Sequence, residues 1–481
     1  MNEVKFILND KLMTISFNSS EFKPTDTVLK YLRSQFGLKG TKEGCGEGDC
    51  GACTVVLAEI NGDKISYRSL NSCLLFIPML QGKQLITVES LEDKNGLLHP
   101  VQQKMIEYYG SQCGYCTPGI VMNLFAAYKN NQSPDIDSIK KTLSGNLCRC
   151  TGYTPIIFAA QDILNDIHDD HFTDNEKQIY KSLTLIQGHN TLYFEKNGQI
   201  YIKPFSLNDA LIERKKHPTA NIITGNTDFV LKVTKKKFFA EKILDLSDVK
   251  ELNHINTIGN SYIIGSGTSL EKIKDTVQKD FPALNNTLSF FGSLQIRNIA
   301  SLAGNIGSAS PIGDSLPVLI AHKAIVQLKN INGTRSVLLE DFIKSYRKTD
   351  LKDDELIVAV EIPKNNNGFV RSYKVSKRKE TDISTLSACF NLNIDTKTGN
   401  VVEIIIVFGG MAATPKRALK TEKFLISKPF NKDTINDAQL ILQTEFEPIS
   451  DVRAEAEYRK IAAPNLLQKF YYDFSNQYDI K

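Results

Sequence analysis

Nine cysteines occur among the 481 residues, and eight of them precede residue 151. Cys45, Cys50 and Cys53 are separated by four and two residues, and Cys73 follows after nineteen more. Cys113 and Cys116 then form a CxxC, and Cys148 and Cys150 a CxC. Thiolates crowded in this way bind metal, and a chain of this length can bury a large core without the disulfides that staple small secreted domains. Gly44, Gly46, Gly48 and Gly51, interleaved with the first thiols, let a loop wrap tightly and turn backbone N–H groups towards negatively charged sulfur. Cys389 stands apart in LSACF and reads as a small buried hydrophobe.

The first set has the spacing of a plant-type two-iron, two-sulfur centre, in which each iron takes two thiolates. A structural zinc is the alternative, although it more often draws its four thiolates from two CxxC pairs. The second set fits a further metal centre; a CxxC redox dithiol is the competing reading, but it would need no CRC partner. CGYCTPG and CRCTGYTP each lead into a predicted helix, so both pairs stand at helix amino termini, where free N–H groups and the dipole favour thiolate.

The elements that position these thiols follow from periodicity. Residues 4–17 alternate around Asn9-Asp10 like a hairpin, and DTVLKYLRSQFG places Val28, Leu29, Leu32 and Phe36 on one helical face. TVVLAEI, a turn at Asn61-Gly62 and KISYRSL form a second hairpin, so the first cysteine loop lies between helix and hairpin in a module ending near residue 88. Residues 89–165 read as helical, with Thr117-Pro118 and Ser133-Pro134 as cap-plus-first-turn signals and Ile120, Val121, Leu124, Phe125 and Tyr128 as an apolar stripe. DDHFTDNEKQIYKSLT reads as a polar linker, and helices and strands alternate from about residue 197.

The stretches KEGCGEGDCGACTV, NSCL, QCGYCTPG and GNLCRCTGY resemble the two iron–sulfur modules of the molybdenum hydroxylases. ITGNTDF, FFGSLQIRNIASLAGN and SPIGD, and then YKVSKRKETDIS through FGGMAATPKRA, are similar to the flavoprotein domain of the same family. The resemblance implies an α+β multidomain chain. A β-grasp plant-type ferredoxin module would occupy 1–88 and an all-α helical 2Fe-2S module 89–165. After a linker, 166–196, would come an FAD-binding α+β domain of the vanillyl-alcohol-oxidase (VAO) type, 197–367, and a small carboxy-terminal α+β domain of the CO-dehydrogenase flavoprotein type, 368–476.

The resemblance also implies site residues. Cys45, Cys50, Cys53 and Cys73 would hold one 2Fe-2S cluster, and Cys113, Cys116, Cys148 and Cys150 a second. Ile222, Ile223, Thr224, Gly225, Asn226, Thr227, Asp228 and Phe229, with Ser301, Leu302, Ala303, Gly304 and Asn305, would surround the FAD pyrophosphate. Read from the residues alone, both are loops rich in small residues that suit ordinary turns as well as phosphate. Phe291 would flank the isoalloxazine ring, Asp314 and Lys374 would contact the cofactor, and Ile357 would lie near the adenine. Asp382 would lie near the flavin edge where nicotinamide approaches. Ala303 stands where many relatives have glycine, and Asp228 where glutamate is frequent; the methyl of Ala303 would tighten the approach of backbone to phosphate.

Composition adds exclusions. The formal charge is only +4, with acidic and basic residues interleaved, and so gives no reason for a nucleic-acid or membrane partner. No apolar stretch is long enough to cross a bilayer, and the expectation is a soluble cytoplasmic protein. The seven histidines show no ligand grouping beyond His168 and His171, which read as a solvated HDDH turn. The resemblance implies a molybdopterin-binding partner chain, in a dimer of two-chain units, at whose molybdenum a purine is hydroxylated. Electrons would leave through the helical-module cluster, the ferredoxin-type cluster and FAD to NAD+, and no residue of this chain would be an acid or base for the hydroxylation. The alternatives are a hydroxylase of the same family acting on an aldehyde or N-heterocycle, a free-standing NADH-dependent iron–sulfur flavoprotein, and a zinc-stapled interaction protein.

Overall fold

The computed structural model describes residues 3–364 and 368–478. Contacts divide the chain into two units, one of residues 1–250 with 292–300 and one of residues 251–291 with 301–481.

In the first unit, alternation makes a hairpin of β1 (Glu3–Leu8) and β2 (Lys11–Ser16), closed at Asn9-Asp10 with Asn9 at φ 55°. The second hairpin joins β3 (Thr54–Asn61) and β4 (Lys64–Asn71). Asn61 pairs with Lys64, so the turn is Gly62-Asp63, one residue beyond the expected position, and the positive φ falls on Gly62. β5 (Gln84–Ile86) lies parallel to β1 and antiparallel to β3, which gives the order β2-β1-β5-β3-β4. The helix Val28–Gln35 buries Val28, Leu29, Tyr31 and Leu32. Phe36, expected on that face, is instead the exposed C-cap; the Tyr31 ring meets Phe6, Phe22 and Phe36 edge-on.

The helices Pro100–Glu107, Thr117–Lys129, Ile136–Leu143 and Thr154–Asn165 build the second module around Thr117–Lys129, whose residues from Gly119 to Tyr128 are all buried. Thr117 opens its helix with Cys116 as N-cap. The second expected cap is displaced. Asp135, not Ser133, caps Ile136–Leu143 by accepting from Ser138 N at 2.8 Å, because it is Asp135 that stands directly before the first helical residue.

The segment expected as a linker contains the helix His171–Leu185. Asp170 caps it through Thr173 N at 2.7 Å, and the same carboxylate meets His99 Nε2 at 3.0 Å and Lys129 Nζ at 2.7 Å. Only Phe172 and Leu183 of this helix are buried, so its polar composition concealed an element anchored mainly by its cap. The HDDH stretch is therefore not a solvated turn throughout: His168 is exposed, but Asp170 is buried.

A further sheet, in the order β6-β7-β9-β8, comprises β6 (Leu192–Lys196), β7 (Gln199–Lys203), β8 (Asn221–Ile223) and β9 (Lys242–Asp245), with β7 and β8 both parallel to β9. Phe194, Tyr201, Ile223 and Val230 share one apolar core with the ferredoxin-like module. Lys203, with no exposed side-chain surface, lies 2.8 Å from Asp245 and 2.9 Å from Asp248, and Lys83 lies 2.7 Å from Asp248.

The second unit contains an antiparallel sheet of Ile255–Ile258, Ser261–Gly265, Leu356–Pro363, Ile325–Asn330 and Gly333–Leu338 in that spatial order. A four-stranded sheet begins at Phe369–Val375 and packs its apolar face against the helices Lys432–Glu445 and Ala456–Tyr478. The expected boundary between 367 and 368 falls at residues 365–367, outside the described residues. Residues 302–308, expected as a loop, form the short helix Leu302–Ser308, because Ser301 accepts from Gly304 N at 3.1 Å and so caps the run of small residues. Among the described residues no helix is long and apolar enough to cross a membrane.

Candidate cofactor-binding sites

The first thiol loop wraps around sulfur. The N–H groups of Glu47, Asp49 and Cys50 point at Cys45 Sγ at 3.4, 3.3 and 3.4 Å, and Cys45 N points at Cys50 Sγ at 3.3 Å. The Cys50 thiol and then these backbone N–H groups bring Cys45 down to about 4 against the burial that opposes them, so the loop is built for thiolate. Gly44 leaves room for this, since a Cβ there would lie 2.6 Å from Cys50 Sγ. Cys53 and Cys73 are buried with their sulfurs 3.3 Å apart, and Lys235 Nζ reaches the Cys45 carbonyl at 2.5 Å.

In the helical module Cys116 and Cys148 approach one another, as do Cys113 and Cys150. The Tyr115 N–H, followed by the Cys150 thiol, lowers Cys113; burial raises Cys116 to about 12; and against burial the Thr151 hydroxyl, 3.2 Å away, lowers Cys148. All nine cysteines are free, and among the described residues no three His, Cys, Asp or Glu side chains converge on a point that one ion could occupy. The eight thiols fall instead into two pairs per set. Two irons, each taking two thiolates, would be held by that arrangement. The residues present therefore fit a two-iron centre in each set.

The two thiol loops touch directly. Leu147 N–H bonds the Cys50 carbonyl at 3.0 Å, so one hydrogen bond joins a ligand of the first set to the residue preceding Cys148 of the second. Lys42 Nζ bonds the Gly114 carbonyl at 2.8 Å, and Tyr115 OH bonds the Glu43 carbonyl. Gly51, at φ +70°, and Gly119 make the approach possible: a Cβ on Gly51 would lie 2.2 Å from Gly145 O, and one on Gly119 2.2 Å from Gly51 O. Gln295, Asn146 and Thr54 lie at the same junction and were not anticipated from sequence, although Gln295 sits inside the quoted FFGSLQIRN.

The residues expected around FAD divide between the units. In the first, Ile222 and Ile223 end β8, Thr224 to Asp228 turn the chain with Asn226 at φ 62°, and Phe229 begins a short helix. Asn226 Nδ2 bonds the Leu74 carbonyl at 3.0 Å, and a Cβ on Gly225 would lie 2.1 Å from Ile299 O, so close backbone packing shapes this loop. In the second, Ser301 caps the helix that carries Leu302, Ala303, Gly304 and Asn305, and Asn305 Oδ1 accepts from Ser315 Oγ at 2.6 Å. First-turn amides of this kind suit a phosphate. Asp314 caps nothing through its side chain; its oxygens meet Lys374 Nζ at 2.7 Å and Ser384 Oγ at 2.5 Å, and Lys374 also donates to the Phe290 carbonyl at 3.1 Å. Ser384 is a member of this cluster that sequence reading missed. Phe291 and Ile357 are half-buried, and Ile357 comes within 3.8 Å of a Cβ placed on Gly307. Asp382 is engaged within its own loop: its carboxylate accepts from Arg378 N at 2.9 Å and Ile383 N at 3.0 Å, and these N–H groups hold it below the usual range against burial.

Known family domains match four stretches of the chain. Residues 17–77 match the 2Fe-2S iron–sulfur cluster binding domain and 87–161 the [2Fe-2S] binding domain. Residues 193–365 match the FAD binding domain in molybdopterin dehydrogenase, and 371–474 the CO dehydrogenase flavoprotein C-terminal domain. The xanthine dehydrogenase of Emericella nidulans is 30% identical over 99% of this chain and 39% of its own length. Xanthine dehydrogenase 1 of Arabidopsis thaliana is 31% identical over 92% of this chain and 38% of its own. The chain thus spans about two fifths of the length of the curated relatives it matches. Among solved structures, a carbon monoxide dehydrogenase from Hydrogenophaga pseudoflava aligns at TM-score 0.53 and 23% identity, and quinoline 2-oxidoreductase from Pseudomonas putida 86 at 0.53 and 24%. Each alignment covers 56% of this chain and 94% of the other, and at these identities the likeness is one of fold.

Proposed function

The chain belongs to the molybdenum hydroxylases, whose iron–sulfur and flavin domains it carries, and on that premise we propose that it is the electron-transfer subunit of a xanthine dehydrogenase. In this reading a molybdopterin-binding partner chain oxidises hypoxanthine and xanthine to urate, and NAD+ is the final acceptor. When bound, the two clusters relay single electrons and FAD gathers them in pairs. The chain's own residues supply placement. Cys113 and Cys150 are exposed, as are their neighbours Tyr115 and Leu147, and this face is the one offered to the partner. Buried Cys53 and Cys73 and the N–H groups around Cys45 hold thiolate charge away from water, which is how a protein sets the reduction potential of such a centre.

The observation that carries the reading is the pairing of eight thiols in two sets joined at 3.0 Å through Leu147 and Cys50. The names of the relatives support the choice of xanthine. The test is Cys113→Ser in the protein purified with whatever larger chain accompanies it. Reduction by xanthine through the partner should stop, while FAD stays bound and reducible by NADH. Loss of flavin from this variant, or zinc in place of iron in the wild type, would refute the assignment.

A further inference from the structure

The segment 292–300 belongs to the first unit, although the chain on either side of it belongs to the second. Within that unit it lies against three functional loops. Ile299 and Ala300 back Gly225 of the expected flavin loop, and Ile296 lies 3.1 Å from a Cβ placed on Gly48 of the first thiol loop. Gln295, fully buried, reaches between the two thiol loops. Its Nε2 donates to Asn146 Oδ1 at 2.8 Å and approaches Thr54 Oγ1 at 3.4 Å. Asn146 Nδ2 in turn donates to the Gly51 carbonyl at 3.1 Å and to Thr54 Oγ1 at 3.2 Å, and Asn123 Nδ2 supplies a second bond to Asn146 Oδ1 at 2.8 Å.

One feature of this network is unfavourable by itself. Gln295 Oε1 is buried without a hydrogen-bond partner among the described residues and lies 2.2 Å from where a Cβ on Gly145 would be. An unpaired buried carbonyl opposes folding, so the amide is held in place by its donor side. Any side chain at 145 would drive it out. Asn146 is the neighbour of Leu147, whose N–H bonds the Cys50 carbonyl and so ties the second thiol loop to the first.

We propose that Gln295 is the positioning residue for electron transfer between the two clusters. It fixes Asn146, Asn146 fixes Gly51 and Thr54, and Leu147 N–H is thereby kept on the Cys50 carbonyl. With clusters bound, Cys113, Cys116, Cys148 and Cys150 would hold one and Cys45, Cys50, Cys53 and Cys73 the other, and the contact would serve the passage of one electron between them, with no bond made or broken and no proton moved. The inference rests on the proposed function, because only there do both sets carry clusters.

The test compares Gln295→Met, which keeps volume and removes the donor, with Asn298→Ala, which removes a bond from the same segment to the Ser69 carbonyl (3.0 Å) away from the junction. Two readouts are taken on the holoprotein: amide hydrogen exchange at Leu147, and the magnetic splitting between the two clusters in the electron paramagnetic resonance spectrum of the reduced protein. Gln295→Met should retain wild-type iron and flavin, exchange Leu147 about tenfold faster, as loss of one net hydrogen bond implies, and show an altered splitting. Asn298→Ala should change neither. Should Gln295→Met fail to accumulate, Thr54→Val removes the hydroxyl shared by Gln295 and Asn146 and should act in the same direction. Unchanged exchange and splitting in Gln295→Met, or equal changes in Asn298→Ala, would overturn the proposal. A wild-type protein without iron would refute the proposed function instead, and Leu147 exchange in that protein would still decide whether Gln295 holds the junction.

Discussion

Lys203→Met should destabilise the first unit by about 3 kcal/mol at pH 7 and weaken flavin binding. Lys203 is the cation between two carboxylates, 2.8 Å from Asp245 and 2.9 Å from Asp248, with no exposed side-chain surface. Burial works against its charge, and Asp245 and Asp248 hold it above the ordinary ammonium range. Removing one partner of a buried pair costs roughly 3–5 kcal/mol. Asp248 keeps Lys83 at 2.7 Å, and Asp245 keeps the Tyr201 hydroxyl at 2.8 Å and Ser247 N–H at 2.9 Å, which places the expected cost at the lower end. Asp245 pairs with Ile223, the strand residue that leads into the expected flavin loop, so the disturbance is local to that loop.

The wild-type cluster also carries a pH dependence of its own. In the wild type Lys203 and Lys83 bring Asp248 down to about 2 against burial, so its contribution is present above about pH 4 and is lost as the pH falls towards 2. Urea denaturation of both proteins at pH 7, with FAD titration, reads the loss directly. A loss below about 1 kcal/mol would refute the reasoning.

Three other outcomes are expected. His322 is buried against Phe281 with neither ring nitrogen bonded among the described residues, and burial lowers it to about 4. Its folded pKa lies below the unfolded value of about 6.5, so its contribution is present above 6.5 and falls by about 3 kcal/mol as the pH drops to 4; His322→Leu should flatten the melting temperature over that range, and an unchanged slope would exclude the assignment. Gly51→Ala puts a methyl 2.2 Å from Gly145 O at φ +70°, so the two thiol loops must separate and iron content should drop; full iron loading would show that the approach is dispensable. Asp170→Asn leaves Lys129 buried without its carboxylate and should cost about 3 kcal/mol, detected as faster proteolysis between residues 166 and 190; unaltered cleavage would contradict the docking of the helix His171–Leu185.

Several features were legible because their signals are local. The positions of the eight thiols, the hairpin at Asn9-Asp10 and the helices after CGYC and CRC all depend on residues a few places apart, where covalent geometry limits the choices. The misplaced readings fail for the same reason. A one-residue shift of the turn to Gly62, the cap at Asp135 rather than Ser133, and the helix hidden in the acidic stretch each turned on a contact outside the local pattern or on which neighbouring polar residue won the cap. The loop expected after Ser301 became a helix because Ser301 caps it, a competition between turn and helix that small residues leave nearly balanced.

By itself the sequence determined which residues can hold metal, how they are spaced and which modules they fall in, since ligand type and spacing are properties of a short stretch of chain. Only the tertiary structure decided that the thiols pair two by two, that Leu147 closes on Cys50, that Gln295 enters the junction from almost 150 residues beyond Asn146, and that Lys203 lies between two carboxylates with Lys83 opposite. Such contacts leave no periodicity in the sequence. They form only when long loops have closed and the surrounding apolar surface is buried, which is when a lone amide or ammonium must find a partner or be excluded.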